Sequence, residues 1–317
     1  MNLTGTRILG LGAYQPARVV TNHELAGTLD TTDEWIRSRV GIVSRRIAAP
    51  DETVADMAVA AGGKALAASG VPPEEIGLVI VATCTAESPI PNTAAEVAHR
   101  LGMSAPGAYD LNAACAGFCY GLAAASDTIR AGSARHVLVI GAEKLSAWVD
   151  WSDRNTCVLF ADGAGAAVVG PVGPADRPGI GPVVWGSAGQ YADRIRIPDR
   201  ASKLTQDGKR VYWWATTDMP AVAIEACRVA GVDPGALAAF VPHQANLRII
   251  EAIARKIGAP DAVVADHVTE AGNTSAASIP LALSRLVASG RVPRGAPALL
   301  LGFGAGLAFA AQVVITP

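Results

Sequence analysis

The sequence predicts an α/β protein in which two similar halves repeat one arrangement of strands and helices. Continuous apolar runs at 76–83, 136–141 and 164–169 are typical of strands covered on both faces. Ala-rich helical runs alternate with these strands. Of the 317 residues, 50% are hydrophobic and 17% charged, which suits a large buried core and excludes a disordered chain.

The elements follow the same order in both halves. Residues 55–82 read as a helix, a Gly-Val-Pro turn and a buried strand, and residues 217–242 repeat that order. A small-residue helix then follows Cys115 and another follows Asn273, each ending at a glycine 17 residues later (132 − 115 and 290 − 273). We therefore predict an internal duplication in which Cys115 and Asn273 occupy equivalent strand-to-helix corners.

The boundary between the halves is predicted after residue 170, giving units of 1–170 and 171–317. The stretch 171–208 is rich in Gly, Pro, Asp and Arg and has little periodicity. It reads as the crossover between halves together with a surface excursion. The apolar segment 298–315 is long enough to span a bilayer, but its glycines favour two buried strands around a turn.

Charge and cysteine content narrow the class of protein further. There are 26 Lys and Arg against 28 Asp and Glu, a net charge of −2, so neither nucleic acid nor a membrane surface is an expected partner. No secretory signal is apparent after Met1. The five cysteines are odd in number and scattered, which indicates reduced thiols and a cytoplasmic location.

Cys115 is the cysteine whose surroundings favour chemistry. It lies between a short predicted strand and a helix of small residues, where free N–H groups and the helix dipole would favour a thiolate. A metal pair with Cys119, one helical turn later, would need two more ligands at usable spacing. The alternative reading, a buried core cysteine, suits three others better: Cys84, Cys157 and Cys227.

Two polar residues and a glycine turn complete the candidate site. His243 follows a buried strand, the place where α/β proteins bind ligands. Asn273 precedes a run of small residues, although a simple helix N-cap is an alternative. The backbone N–H groups of the turn 302–306 suit an oxyanion. That turn lacks a phosphate-loop ending and 10–12 (GLG) lacks the third glycine of a dinucleotide fingerprint, so no nucleotide cofactor is expected.

Together these motifs resemble one family. AACAGF around Cys115, VPHQANLRII around His243 and AGNTSAAS around Asn273 resemble the Cys-His-Asn set of β-ketoacyl-ACP synthase III, the initiating condensing enzyme of bacterial fatty acid synthesis. TTDEWIRSRVGI and DGAGAAVV match the same family, so the resemblance covers essentially the whole chain. It implies the thiolase-like duplicated fold, layered αβαβα.

The resemblance also implies a reaction. Cys115 would take an acyl group from acyl-CoA, and malonyl-ACP would lose CO2 to give a carbanion that attacks the acyl-cysteine. His243 Nε2 and the Asn273 amide would stabilise the enolate. The backbone N–H groups of Cys115 and Ala305 would form the oxyanion hole, and the ring of Phe303 would disfavour the malonyl carboxylate. Neither a metal nor a cofactor is implied, because acyl-CoA is a substrate.

Binding residues are implied in the same way. Trp35 and Arg154 match residues that sandwich the CoA adenine, with Thr31 and Arg39 as further contacts. Ile90 matches a residue that reaches across a homodimer to close the acyl pocket, and its size suggests room for somewhat more than acetyl. A basic patch that docks the acidic carrier protein is matched by Arg248, Arg255 and Lys256.

Three features depart from the family pattern. Trp213 stands where relatives often carry a cation near the docking face, and Asn155 stands where some have Gly. The connection 171–208 is shorter than usual. Alternative readings are a pathway-specific polyketide starter synthase or acyltransferase, a catalytically silent partner subunit, and a cysteine hydrolase. The intact Cys-His-Asn set favours carbon–carbon bond formation, since Asn serves decarboxylation more than simple transfer.

Overall fold

The first half of the chain forms a five-stranded mixed sheet with helices on both faces. The computed structural model describes residues 5–173 and 176–317. The elements of this half are β1 (Thr6–Tyr14), β2 (Arg18–Thr21), α1 (Asn22–Ala26), α2 (Asp33–Val40), β3 (Ser44–Ile47), α3 (Val54–Ser69), β4 (Ile76–Ala82), α4 (Thr93–Arg100), β5 (Gly107–Leu111), α5 (Gly117–Arg130), β6 (His136–Lys144) and β7 (Asp162–Pro171).

The second half forms another five-stranded sheet. Its elements are β8 (Val184–Gly186), β9 (Ile195–Arg196), β10 (Thr205–Gln206), α6 (Gly208–Ala230), β11 (Ala239–Pro242), α7 (Leu247–Ala254), β12 (Val263–Val264), α8 (Val268–Ala271), α9 (Ser278–Ala288), β13 (Pro297–Phe303) and β14 (Phe309–Ile315).

The two sheets have the same topology, which confirms the predicted duplication. The first has the strand order β1-β7-β6-β4-β5, and the second has β8-β14-β13-β11-β12 when read in the same direction. In both, the two parallel pairs are made by the fourth strand, β4 or β11, with its neighbours. The remaining pairs, which include β1 with β7 and β8 with β14, are antiparallel.

The layers are those expected of the thiolase fold. Helices α5 and α9 lie between the sheets, where Leu122 and Leu283 share one buried cluster with Val139 of the first sheet and Leu300 of the second. Helices α3 and α4 cover the outer face of the first sheet. Helices α6 and α7 cover the outer face of the second sheet, which completes an αβαβα stack.

The register of the sheets corrects the predicted equivalence of Cys115 and Asn273. Leu78 pairs with Val137 in the first sheet and Ala239 with Ala298 in the second, so equivalent positions are 161 residues apart (239 − 78 and 298 − 137). That offset aligns Asn273 with position 112 and aligns Cys115 with position 276. The prediction aligned the glycines that end the two helices and counted back the same number of residues. That alignment is wrong because the two helices differ in length.

The two equivalent corners share the same hydrogen bond from a backbone N–H to an asparagine side chain. The Asn112 side-chain oxygen accepts from the Ala114 N–H at 3.1 Å, and the Asn273 oxygen accepts from the Ser275 N–H at 2.9 Å. Ala114 and Ser275 both have left-handed backbone, with φ of 45° and 47°. Such a conformation disfavours residues with a side chain, so each asparagine holds a strained turn in place.

The stretch 171–208 is more regular than predicted, because β8 supplies the edge strand of the second sheet. The first sheet ends with β7 and the second begins with β8, so we retain the division after residue 170 as a proposal. The apolar segment 298–315 forms β13 and β14, as predicted. Among the described residues, no helix is both long and apolar enough to cross a membrane.

Candidate active site

The structure brings the three predicted residues to one cavity. Cys115 lies in a single 3-10 turn, Ala114–Ala116, between β5 and α5. His243 follows β11, and Asn273 lies in the equivalent corner of the second half. All three line one cavity of about 800 Å³. The duplicated fold therefore brings three residues that are distant in sequence to the wall of one cavity.

The glycine turn after β13 packs directly against Cys115. A Cβ atom on Gly304 would lie 2.7 Å from the Cys115 Cβ and 2.9 Å from its Sγ. Real side chains do not tolerate such contacts, so glycine is required here. This close approach directs the Ala305 N–H at the Cys115 sulfur, where it lowers the thiol pKa together with the backbone N–H of Cys115 itself. These are the two groups predicted to form the oxyanion hole.

The surroundings of the Cys115 thiol favour its neutral form. Burial raises its pKa to about 12, and the Glu143 carboxylate adds in the same direction. The Ser275 hydroxyl and the two backbone N–H groups offset only part of that shift. Burial and the Glu143 charge therefore oppose the thiolate that the helix terminus was expected to favour, and the thiolate stays a prediction.

Alkylation of Cys115 by iodoacetamide is expected to speed up about tenfold per pH unit from pH 7 to pH 10, since only the thiolate reacts. With a pKa of about 12, no plateau is reached in that range. Mass spectrometry of the Cys115 peptide measures the rate, with Cys115→Ser as the control. A plateau below pH 8 would contradict the raised pKa.

His243 is held as a buried neutral ring. Its Nδ1 lies 2.8 Å from the Ser278 hydroxyl oxygen. The Phe303 ring packs against it edge-to-face, with 5.4 Å between centroids. Burial lowers the pKa of His243 to about 3, so the imidazole carries no charge near neutral pH. Nε2 is the nitrogen left to face the cavity that His243 lines.

The Asn273 amide has a fixed orientation. Its oxygen accepts from the Ser275 N–H at 2.9 Å, as described for the corner, so the amide must place Nδ2 on the other side. Nδ2 makes only a long contact of 3.5 Å to the Ala245 carbonyl oxygen. Asn273 therefore offers an N–H donor to the cavity that it lines.

Glu143 is a residue of the site that sequence reasoning missed. It is fully buried at the end of β6 and accepts from the Thr85 hydroxyl at 2.5 Å, the Ser275 hydroxyl at 2.9 Å and the Cys84 N–H at 3.1 Å. Burial raises the pKa of this carboxyl group. The sequence did contain a signal for Glu143: it is an acidic residue near the end of an otherwise apolar run, HVLVIGAEK.

The interpretation of Cys84 as an ordinary core cysteine is corrected by the same network. Cys84 as a residue is only partly buried, and its thiol donates to Glu143 at 3.3 Å. Burial, Glu143 and Cys115 all raise the pKa of Cys84 well above its usual value. Cys84 therefore lies near Cys115, whereas Cys157 and Cys227 are buried in the core as predicted.

Three of the four predicted CoA residues, Trp35, Arg39 and Arg154, lie together at the outer part of the cavity. The Arg154 and Arg39 guanidinium groups lie 5.2 Å and 5.6 Å from the centre of the Trp35 ring. A base sandwiched between Arg154 and Trp35 needs roughly 7 Å, twice a van der Waals contact, so Arg154 covers the ring in the free enzyme. Thr31 lies outside the cavity walls, and its buried hydroxyl oxygen has no partner among the described residues.

The predicted docking cations have unequal surroundings. Arg248 packs over the Tyr212 ring at 5.8 Å, and Arg255 is exposed with only a weak pair, 3.9 Å, to Glu251. Lys256 instead donates to the Thr216 carbonyl oxygen at 2.7 Å. Pro220 lies inside α6 and has no N–H for that carbonyl, so Lys256 also stabilises a helix that proline interrupts.

Three remaining predicted positions lie at the surface. Ile90 is 83% exposed and is outside the walls of its own chain's cavity. Trp213 is 66% exposed and lines the outer cavity together with Asn155. Phe303, by contrast, is buried at the cavity floor beside His243. Among residues 5–173 and 176–317, no cluster of three or more metal-ligating side chains occurs.

A duplicated αβαβα fold with Cys, His and Asn at the floor of one cavity defines a member of the thiolase superfamily. Models of 3-oxoacyl-[acyl-carrier-protein] synthase III match residues 109–189, and models of its C-terminal part match 227–315. The chain belongs to the β-ketoacyl-[acyl-carrier-protein] synthase III family.

Individual relatives agree over nearly the whole length. The chain is 57% identical to β-ketoacyl-[acyl-carrier-protein] synthase III 4 of Streptomyces coelicolor, over 99% of each chain. Among solved structures, it matches the priming β-ketosynthase of the R1128 polyketide pathway with a TM-score of 0.95 and 48% identity, covering 99% of this chain and 97% of that one. The synthase III of Aquifex aeolicus matches with a TM-score of 0.94 and 42% identity, covering 98% and 100%.

Proposed function

We propose that this protein condenses an acyl-CoA primer with malonyl-[acyl carrier protein], by decarboxylation, to give β-ketoacyl-[acyl carrier protein] and initiate fatty acid or related polyketide synthesis. The observation that carries the proposal is the convergence of Cys115, His243 and Asn273 on one cavity. A thiol supplies the acyl acceptor, and two uncharged N–H donors supply the site where negative charge develops.

In the first step Cys115 exchanges thioesters with acyl-CoA. Its sulfur forms a bond to the acyl carbonyl carbon while the carbon–sulfur bond to CoA breaks, and the thiol proton ends on the CoA sulfur. The backbone N–H groups of Cys115 and Ala305 stabilise the oxyanion formed on the way. Because the thiol begins protonated, no separate base is required for the overall proton balance.

In the second step the malonyl thioester loses CO2 and its electrons move onto the thioester oxygen. His243 Nε2 and Asn273 Nδ2 donate to that oxygen, and the apolar ring of Phe303 makes a poor neighbour for the carboxylate. The resulting carbanion bonds to the acyl carbon and expels the Cys115 thiolate, which takes up one proton from solvent. No cofactor takes part.

The substrates enter from the outer part of the cavity. We propose that Trp35, Arg39 and Arg154 bind the CoA nucleotide, with Arg154 swinging off the Trp35 ring to admit the adenine; Thr31 would join them only as a peripheral contact. The exposed cations Arg248 and Arg255 provide the charge for an acidic carrier protein. Lys256 is less available to bind the carrier protein, because its ammonium is already bound to the Thr216 carbonyl oxygen.

A homodimer is proposed from the exposed edge of the first sheet. Strand β5 is an edge strand whose Tyr109 is 38% exposed. Asn92 donates to the Ala108 carbonyl oxygen at 3.1 Å, so the loop that carries Ile90 is bound to this edge. Pairing of the edge with a second copy would remove an open strand and cover Ile90, which would then close the partner's acyl pocket.

Ile90 is expected to set primer length. Wild-type enzyme should use C4–C5 branched acyl-CoAs better than acetyl-CoA, and Ile90→Phe should reverse that preference because the larger ring shortens the pocket. The ratio of kcat/KM values across an acyl-CoA series measures the effect. Equal or better use of acetyl-CoA by the wild type would contradict the assignment.

The proposed function is tested by two additions to the wild-type protein. Incubation with acyl-CoA should add one acyl mass at Cys115, and later addition of malonyl-carrier should discharge it as β-ketoacyl-carrier. Discharge to water alone would indicate a hydrolase. The match to a polyketide priming synthase supports one second candidate, a pathway-specific starter synthase. Strong preference for one unusual primer and one carrier would favour that candidate.

A further inference from the structure

Ser278 lies behind the ring of His243. It is the first residue of α9 and is 1% exposed. Its hydroxyl oxygen lies 2.8 Å from His243 Nδ1 and 3.2 Å from the backbone nitrogen of Gln244. These two contacts are the hydrogen bonds of that hydroxyl group within the described residues.

The donors and acceptors around the Ser278 hydroxyl determine which nitrogen of His243 carries the proton. The Gln244 N–H can only donate, so it occupies a lone pair of the Ser278 oxygen. The hydroxyl proton then needs an acceptor, and Nδ1 of His243 is the one within reach. If Nδ1 carried the imidazole proton, it would donate to the second lone pair of the Ser278 oxygen, and the buried hydroxyl proton would be left without an acceptor, which is costly.

The turn that holds His243 is rigid enough to keep this arrangement. The Gln244 side-chain amide donates to the carbonyl oxygens of Pro242 at 2.8 Å and Ala265 at 3.2 Å, and it accepts from the Val268 N–H at 3.0 Å. The Gln244 N–H therefore remains directed at Ser278, and the imidazole has little freedom to rotate against Phe303.

We infer that Ser278 is a positioning residue whose hydroxyl fixes His243 in the tautomer with the proton on Nε2, so that Nε2 donates and does not accept. The inference rests on the proposed function, in which Nε2 donates to the enolate oxygen. A neutral ring with one proton is consistent with the depressed pKa of His243. The hydroxyl thus excludes a role for Nε2 as the base that deprotonates Cys115.

The tautomer is measured directly by ¹⁵N NMR of histidine-labelled protein, which contains five histidines. A His243→Asn variant assigns the signals. The wild type should show an unprotonated Nδ1 and a protonated Nε2 at His243. Ser278→Ala should shift both signals toward a mixture of tautomers. A protonated Nδ1 in the wild type would overturn the inference.

Kinetics separate positioning from a structural role. In Ser278→Ala, acyl loading of Cys115 should stay within about threefold of wild type, while decarboxylation of malonyl-carrier should fall on the order of tenfold or more. Ser126→Ala is the matched control, because that buried hydroxyl bonds Thr6 at 2.7 Å, away from the cavity. Unchanged tautomer and decarboxylation in Ser278→Ala would also overturn the inference.

Failure of the proposed function gives a different result. If the wild type forms no β-ketoacyl-carrier, the proposed function is wrong, and the wild-type NMR signals still decide whether Ser278 fixes the tautomer.

Discussion

Cys115→Ala is expected to form no acyl-enzyme with any acyl-CoA and to lose condensation by a factor on the order of 10⁴ or more, since no other group takes the acyl chain. The fold should survive, because the equivalent corner of the second half carries alanine, Ala276, at the same position. Intact-protein mass spectrometry after incubation with acyl-CoA measures loading, and a thermal melt checks folding.

The same variant keeps both of the proposed enolate donors. His243 and Asn273 are unaltered, so it should still release CO2 from malonyl-carrier and leave acetyl-carrier, with the carbanion taking a proton in place of the acyl group. A folded Cys115→Ala protein that still gains one acyl mass would show that another residue, of which Cys84 is the nearest candidate, is the acceptor.

Asn273→Asp is expected to load acyl groups normally and to lose decarboxylation by about 10²–10³-fold, or 2.7–4 kcal/mol of barrier. Aspartate is a sharper test than alanine. It keeps an oxygen that accepts from the Ser275 N–H, so the strained turn is retained, and it replaces the Nδ2 donor with a carboxylate oxygen whose negative charge also opposes the enolate. The measurement is CO2 release from malonyl-carrier after acyl loading is verified by mass.

The duplication supplies a matched control for this variant. Asn112 makes the same bond to its own turn but does not line the cavity, so Asn112→Asp should leave decarboxylation within about threefold of wild type. Wild-type decarboxylation by Asn273→Asp would refute the donor role. A comparable loss in both variants would assign the effect to the turns and not to Nδ2.

Local pattern was sufficient to predict much of this protein. Apolar runs identified the strands, and the motifs around Cys115, His243 and Asn273 identified residues that the structure brings to one cavity. The equivalence of Cys115 with Asn273 failed, because the register of paired strands and not the spacing of glycines defines equivalence. Local pattern also did not show what opposes a thiolate at Cys115: burial raises the thiol pKa most, and Glu143, 28 residues later (143 − 115), adds to that shift only in the folded chain.

Other features have no local signature at all. Exposure of Ile90, the carbonyl bound to Lys256 and the hydroxyl behind His243 each depend on contacts between segments far apart in sequence. From its residue type, Lys256 would be placed on a solvated surface. Its ammonium instead binds the Thr216 carbonyl oxygen, which is free because Pro220 in α6 has no N–H to donate to it.

The stacking of Arg154 on Trp35 has a consequence for turnover. Spent CoA and the incoming malonyl-carrier arm share one entrance under the proposed chemistry, so the first must depart before the second arrives. If Arg154 and Trp35 bind the adenine as proposed, the guanidinium would return to the indole when the adenine leaves and would compete with the nucleotide for that ring. The contact of Arg154 with Trp35 would then weaken retention of CoA and clear the entrance for the second substrate.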